Sequence, residues 1–353
     1  MPSKTHSDDV TQLFNLLSSI STKSSAADFA ATDDLMLRIE AHAPGVFRLR
    51  FGALKHIQPE RVSARAQQYA DMLLARQDAV GELEVTEQAQ GWRIEQGESV
   101  LEIDKDTFAL RAYNGDQLLL QSQSLIATPQ WQFALTLDPN DGIFGLGETT
   151  GDLNRRGAKL VSDHYADRVL PLAWSNRGWG LYVNTFERVE HDVALSQADQ
   201  YQLTVHATVF DLFIFIGQPV EILNQYTALT GRAGQPGLWP MGVWLDQTQS
   251  QSIEQGYATI EQLKQLQVGV DVLNLAPPAA LGFSADRPIF EWDAERIADV
   301  RDMMAAAEDK QCKLAASVFP GVAVGTALFD EWEDRGWLLI NDDDGLAYTF
   351  KGN

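Results

Sequence analysis

The chain has 353 residues, 45% hydrophobic and 22% charged, the make-up of an ordinary globular protein long enough for two or three separately cored units. Forty-nine Asp and Glu against 27 Lys and Arg give a formal charge of -22, which repels phosphate backbones and anionic lipid, so nucleic acid and membrane are poor partners while a neutral sugar is tolerated. No apolar run approaches the ~20 residues that span a bilayer, residues 1–20 lack the pattern of a signal peptide, and the single Cys312 allows no disulfide within the chain, so the expected location is cytoplasmic.

In chain order, Leu13, Leu16, Leu17 and Ile20 fall on one side of a short helix predicted over 8–20, and the Ser/Thr/Ala-rich stretch 21–32 reads as a linker. Residues 1–34 are therefore set apart as an N-terminal helix and linker. From about 35 to 215 the pattern is of short strands between turn signals, within a β-sandwich domain set at 35–235. Val46-Phe47-Arg48-Leu49-Arg50-Phe51 alternates apolar and basic, the mark of a half-buried strand, and 92–95, 100–103 and 107–111 repeat the alternation. Asn114-Gly115 between two such runs is a strong hairpin signal. Many short strands at this spacing predict an antiparallel β-sandwich.

Over 236–353 the pattern becomes buried strand, helix, buried strand, helix. Strands are predicted at 241–245, 270–275 and 313–318; helices at 252–267, capped by Ser252, and at 293–308. Such alternation predicts parallel strands joined by crossover helices. Phosphate loops, the Gly-x-Ser-x-Gly elbow and His-Glu-x-x-His are missing, and six histidines show no metal-ligand spacing, so neither metal nor cofactor is expected. Asp342-Asp343-Asp344-Gly345 lacks the remaining ligands of a calcium loop and reads as an acidic hairpin turn.

Three segments in order carry a resemblance. The first is Ile143-Phe144-Gly145-Leu146-Gly147-Glu148 with Pro171-Leu172-Ala173-Trp174-Ser175-Asn176-Arg177-Gly178-Trp179-Gly180. The second, and most specific, is Tyr226-Thr227-Ala228-Leu229-Thr230-Gly231-Arg232 followed by Trp239-Pro240-Met241-Gly242-Val243-Trp244. The third is Pro288-Ile289-Phe290-Glu291-Trp292-Asp293 with Arg296, Met303-Met304, Lys313 and Pro320. Together they resemble glycoside hydrolase family 31, especially its α-xylosidase-like branch. The resemblance implies a galactose-mutarotase-like β-sandwich followed by the first part of a (β/α)8 TIM barrel.

It also implies retaining hydrolysis of an α-glycosidic bond by two carboxylates ~5 Å apart, a nucleophile and a proton donor. In the family these stand on the fourth and sixth barrel strands, so no catalytic residue is assigned in this chain and both are expected beyond Asn353. Only about three strands fit between 236 and 353, whereas a closed barrel needs eight. The chain is accordingly read as the front of a longer product, with a partner that covers the open edge as the other reading.

Candidate substrate contacts are Asp246 at the carboxyl end of the first barrel strand, Trp244 as a stacking ring, Asp163 and His164 in a sandwich loop that the resemblance places over the pocket, and Asp286, beside Arg287, on a pocket rim. Each has a plainer reading: a loop-capping Asp, a core Trp, a solvated loop and a surface ion pair. Where the family offers an Asp after strand two, an aromatic after strand one and a Trp at strand three, this chain has Ala276, Gln249 and Ser317. These departures motivate an alternative to the glycosidase, a non-catalytic carbohydrate-binding or assembly protein derived from the family. The expected partner is an oligosaccharide or glycoside, and because the family often assembles, a homo-oligomer is also expected.

Overall fold

The computed structural model describes residues 12–13, 16–31, 34–58, 60–76, 78–128, 130–163, 170–247, 252–275, 292, 297, 299–316, 321–322, 324–341 and 345–347. Its contacts divide the chain into Met1–Ala233 and Gly234–Asn353.

The first unit is two antiparallel sheets. One runs, neighbour to neighbour, through Ala158–Ser162, Val189–Val193, Gln200–Val205, Gln130–Thr136, Gln117–Ser122, Leu110–Asn114, Ser99–Asp104, Gly91–Gln96 and Glu84–Gln88. The other runs through Ile143–Gly145, Leu172–Ser175, Trp179–Val183, Phe210–Ile216, Val46–Ala53, Leu35–Ala43, Ala26–Ala31 and Leu16–Lys23. Alternate residues of both sheets meet in one core, among them Phe29, Phe47, Phe51, Leu110, Phe133, Trp179 and Phe210. The period-two alternation of the sequence is what places them there, since successive side chains of a strand point to opposite faces.

The segment read as helix and linker is instead strand. Gln12–Leu13 pairs with Ile126–Ala127, and Leu16–Lys23 forms a hairpin with Ala26–Ala31. The leucine spacing suits a helix, but Ser18, Ser19, Ser21 and Thr22 compete with helical backbone bonds. Apolar residues of the supposed linker pack inward: Ala27, Phe29 and Ala31 belong to the sandwich core.

Two further readings are corrected. Thr107 and Phe108 precede the strand rather than start it: Asp104 Oδ1 accepts from the amides of Asp106 and Thr107, and Phe108 turns the chain at φ 58° before Leu110–Asn114 begins. The basic face of Val46–Ala53 is not solvated, for Arg48 is 2% exposed and Arg50 4%. That face of the sheet is covered by a second apolar cluster, with Phe213, Phe215, Tyr182, Ile222 and Leu229, beneath the helix Pro219–Thr230. Arg48 donates to both oxygens of Asp211, at 2.9 and 2.7 Å, and Asn184 donates to Asp211 at 2.9 Å. The Asn114-Gly115 hairpin forms as read, with Asn114 opposite Gln117 and Gly115 at φ 56°.

In the second unit three short parallel strands lie side by side in chain order: Trp244–Gln247, Val272–Leu275 and Lys313–Ala316. The helices Ile253–Gln265 and Val300–Asp309 connect them. Ser252 and Gln255 make the expected capping box. The second helix starts at Val300, later than the predicted 293, because Asp299 caps it by accepting from the amides of Arg301 and Asp302. The first strand also begins later than read: Trp239–Met241 is a 3-10 turn, and pairing starts only at Trp244. No helix among the described residues is long and apolar enough to cross a membrane.

Candidate functional site

Register determines what the parallel strands present. Leu245, Leu273 and Leu314 form one row across the three strands, and Gln247, Leu275 and Ala316 another. Leu245, Leu273, Leu275, Leu314 and Ala316 pack with Tyr257, Ile260, Ile297, Met303 and Ala307 in the helix-side core. By alternation the rows Trp244, Val272, Lys313 and Asp246, Asn274, Ala315 belong to the opposite face, the one a closing barrel would turn inward.

Two devices hold this register. The Asp271 carboxylate accepts from the amide of Val243 at 2.8 Å just ahead of the first strand, and any Cβ at Gly242 would collide with that carboxylate. On the helix side, the Tyr257 hydroxyl donates to the Met303 carbonyl at 2.6 Å and ties the two helices together.

Asp246 stands third in its four-residue strand, level with Asn274, whose Nδ2 donates to Asp246 Oδ1 at 2.9 Å. A carboxylate offers about four lone-pair positions, so Asp246 retains acceptor capacity, and Asn274 Oδ1 adds another acceptor. The pair is suited to holding hydroxyl donors such as those of a sugar. Asn274 was missed by sequence reasoning. Its signal is a lone polar residue in Val-Leu-Asn-Leu, at the alternation that puts it on the inner face.

Trp244 is 45% exposed and lies outside the helix-side core. Its ring stacks on Trp239 at 6.4 Å between centroids, and its Nε1 donates to the Pro240 carbonyl. The indole is thereby fixed in orientation with much of its surface open, two positions from Asp246 on the same face.

In the first unit, Asp163 follows the strand Ala158–Ser162 and accepts from Arg188 Nη1 at 3.2 Å. His164 and Asp286 lie outside the described residues, as do Gln249, Ala276, Ser317 and the acidic run 342–344. The first resembling motif builds a loop. Gly145 has φ 96°, and a Cβ there would come within 2.5 Å of the Leu172 carbonyl and the Trp174 ring. Arg155 donates to the carbonyls of Gly145, Gly147 and Thr150, gathering the turn around one guanidinium. Asn176 accepts from the Gly142 amide, and Arg177 pairs with Asp138 at 2.6 Å.

Among the described residues no three His, Cys, Asp or Glu side chains converge as a metal site would require. Cys312 is buried, its thiol donates to the Lys313 carbonyl, and burial raises its pKa above the ordinary thiol value, which argues against a reactive nucleophile.

Residues 36–192 match the Glycosyl hydrolase 31 N-terminal galactose mutarotase-like domain, and residues 233–353 match the Glycosyl hydrolases family 31 TIM-barrel domain. The chain belongs to glycosyl hydrolase family 31. Within that family it is similar to the α-xylosidase XylQ of Lactiplantibacillus pentosus, 24% identical over 256 residues that make up 67% of this chain and 33% of the relative. It is also similar to α-glucosidase 2 of Bacillus thermoamyloliquefaciens, 23% identical over 241 residues, 62% of this chain and 30% of that protein. Among solved structures, the family 31 dextranase of Flavobacterium johnsoniae, bound to glucose, superposes with a TM-score of 0.80 at 18% identity, over 95% of this chain and 42% of the dextranase. The chain spans about a third of the length of the curated relatives it matches. The sandwich is thus mutarotase-like, and the three parallel strands are the start of the family 31 barrel.

Proposed function

We propose that the protein works as a retaining α-glycosidase on α-xylosides or α-glucosides, and that Asp246 and Asn274 hold sugar hydroxyls at the inner face of its barrel. The supporting observation is the Asp246–Asn274 pair itself, at the carboxyl-end half of strands that match the family's barrel domain, where active sites of such barrels gather. The two reacting carboxylates come, on this reading, from barrel strands beyond the three described, and Trp244 offers a stacking surface beside the hydroxyl-binding pair. The lone buried thiol fits residence in the reducing cytoplasm.

The test is turnover of p-nitrophenyl α-xyloside and α-glucoside by the protein encoded by the full reading frame, with the product anomer followed by NMR. Retention of configuration is expected. Asp246→Asn keeps the shape and removes the charge, and should lower kcat/KM by roughly 10–100-fold, the worth of one charged hydrogen bond. Inverted product, or full activity in Asp246→Asn, would overturn the respective part of the reading.

A second reading, a non-catalytic carbohydrate-binding protein, is favoured by Ala276, Gln249 and Ser317, which remove polar and stacking contacts from the expected pocket. Calorimetric binding of xylose or isomaltose without turnover by the full-length protein would select it over the glycosidase.

A further inference from the structure

A cleft of about 600 Å³ opens within the sandwich unit, between the helix Ala64–Asp71 and the paired strands that carry Arg50 and Asp211. Its lining includes Arg50, Tyr69, Asn184, Phe186, Val209 and Asp211. Arg50 is almost fully buried, yet its guanidinium has poor company. Its Nε has no hydrogen-bond partner, and Nη2 makes one long bond of 3.4 Å to the His56 carbonyl. The nearest acid, Asp211, stands 4.0 Å from Nε, too far for a hydrogen bond. Asp211 is already committed, with both oxygens taken by Arg48 and one shared with Asn184.

A buried guanidinium that lacks acceptors is costly, and a protein commonly retains one only where something supplies them. The cleft's other walls say what. Ala66, Met72 and Val209 are apolar, and Tyr69 and Phe186 meet at 5.5 Å between centroids as a partly exposed aromatic rim. Planar, two-pronged donors of arginine match a carboxylate's two oxygens. Burial disfavours the Arg50 cation and outweighs the opposing charges of Asp211, Glu40 and Asp71, with Arg48 adding to the effect, so its pKa is lowered and direct acceptors on the guanidinium would favour its charged form.

We propose that this cleft binds a small carboxylate-bearing molecule, its carboxylate on the Arg50 guanidinium and its apolar body against Tyr69, Phe186 and Val209. The site belongs to the sandwich and does not depend on the glycosidase reading.

The test uses the whole chain with benzoate as the probe, benzamide as its neutral match and inorganic phosphate as an anion without an apolar body, followed by calorimetry and saturation-transfer NMR. Benzoate is expected to bind about tenfold or more tighter than benzamide, as one charged hydrogen-bonded contact implies. Arg50→Lys, which keeps the charge and loses the fork, should weaken benzoate by a similar factor. Because that residue is buried, Phe186→Ala at the exposed rim provides a second variant that leaves the sheet intact, and it too should weaken benzoate several-fold. The proposal is overturned if benzoate does not bind, if benzamide or phosphate binds as well as benzoate, or if Phe186→Ala leaves benzoate affinity unchanged.

Discussion

Replacing Asp211 by Ala tests how the sandwich tolerates charge in its interior. Asp211 and Arg48 are both nearly inaccessible, and the variant removes two Arg48 contacts of 2.9 and 2.7 Å and the Asn184 contact of 2.9 Å. Burial opposes ionisation of Asp211, but the Arg48 charge and its hydrogen bonds outweigh burial and hold the carboxyl below the usual carboxylate range. With the carboxylate gone, Arg48 keeps hydrogen bonds of 3.4 Å to Asp71 and the Ala70 carbonyl and its place over the Phe213 ring. Breaking a buried pair from one side costs about 3–5 kcal/mol. For a unit of this size that corresponds to a fall of roughly 6–20 °C in the sandwich's Tm. Because the chain has two units, the assay is hydrogen exchange resolved to the strands Val46–Ala53 and Phe210–Ile216, whose protection should fall by roughly two to four factors of ten. The double variant Arg48→Met with Asp211→Leu, which replaces the pair by apolar groups, should recover at least half of the loss. A single variant within about 1 kcal/mol of wild type, or a double variant no better than the single, would falsify the argument that the stranded charge dominates.

His42 is buried with both ring nitrogens unpartnered, edge-on to Phe213, and its pKa is pulled down to about 4 by burial and by Arg48. A depressed histidine contributes stability above its unfolded value of about 6.5 that drains away as pH falls toward the folded one, at up to about 1.4 kcal/mol per pH unit. His42→Phe should therefore flatten the stability profile between pH 6.5 and 4, measured by urea denaturation, and an unchanged acid slope would sink the assignment. Gly145→Ala should destabilise the sandwich by about 1–3 kcal/mol, because an L side chain at φ 96° is strained as well as crowded by the Leu172 carbonyl. Melting at the wild-type temperature would show that the turn can relax. Tyr257→Phe removes the 2.6 Å bond to the Met303 carbonyl and should cost about 1–2 kcal/mol, seen as faster amide exchange in Val300–Asp309. Exchange as slow as in the wild type would mean that helix packing alone suffices.

Local signals in the sequence survived into the structure where one residue's chemistry decides the outcome. Asn114-Gly115 turned the chain because glycine tolerates a left-handed conformation there, and Ser252 with Gln255 capped a helix by closing its own orphan amides. The family resemblance was equally legible, since its motifs are runs of particular residues, such as Gly145 and Asn176 with their neighbours, that can be recognised without knowing that Asn176 accepts from the Gly142 amide across 34 positions. What failed to show was pairing at long range. Arg48 and Arg50 looked like the wet side of a strand because Asp211, which neutralises Arg48, is 163 positions away. Residues 16–31 looked like helix and linker because nothing local announces that Ala27 and Phe29 have a core waiting for them. Asp246 could be singled out as a carboxylate near a strand end, but its amide partner Asn274 emerged only when the parallel register was known.

That register also limits how this stretch of gene can change length. Trp244 and Asp246 share a face by alternation, and which face it is follows from the Val243 amide being latched to Asp271 with pairing starting one residue later. Gaining or losing a single codon between the Trp239–Met241 turn and Asp246 would rotate every later side chain of the strand to the reverse side of the ribbon, sending the carboxylate toward the greasy helix layer and a leucine toward the lumen. Changes by two codons would preserve facing while altering reach. Natural variation here should consequently come in even steps or not at all.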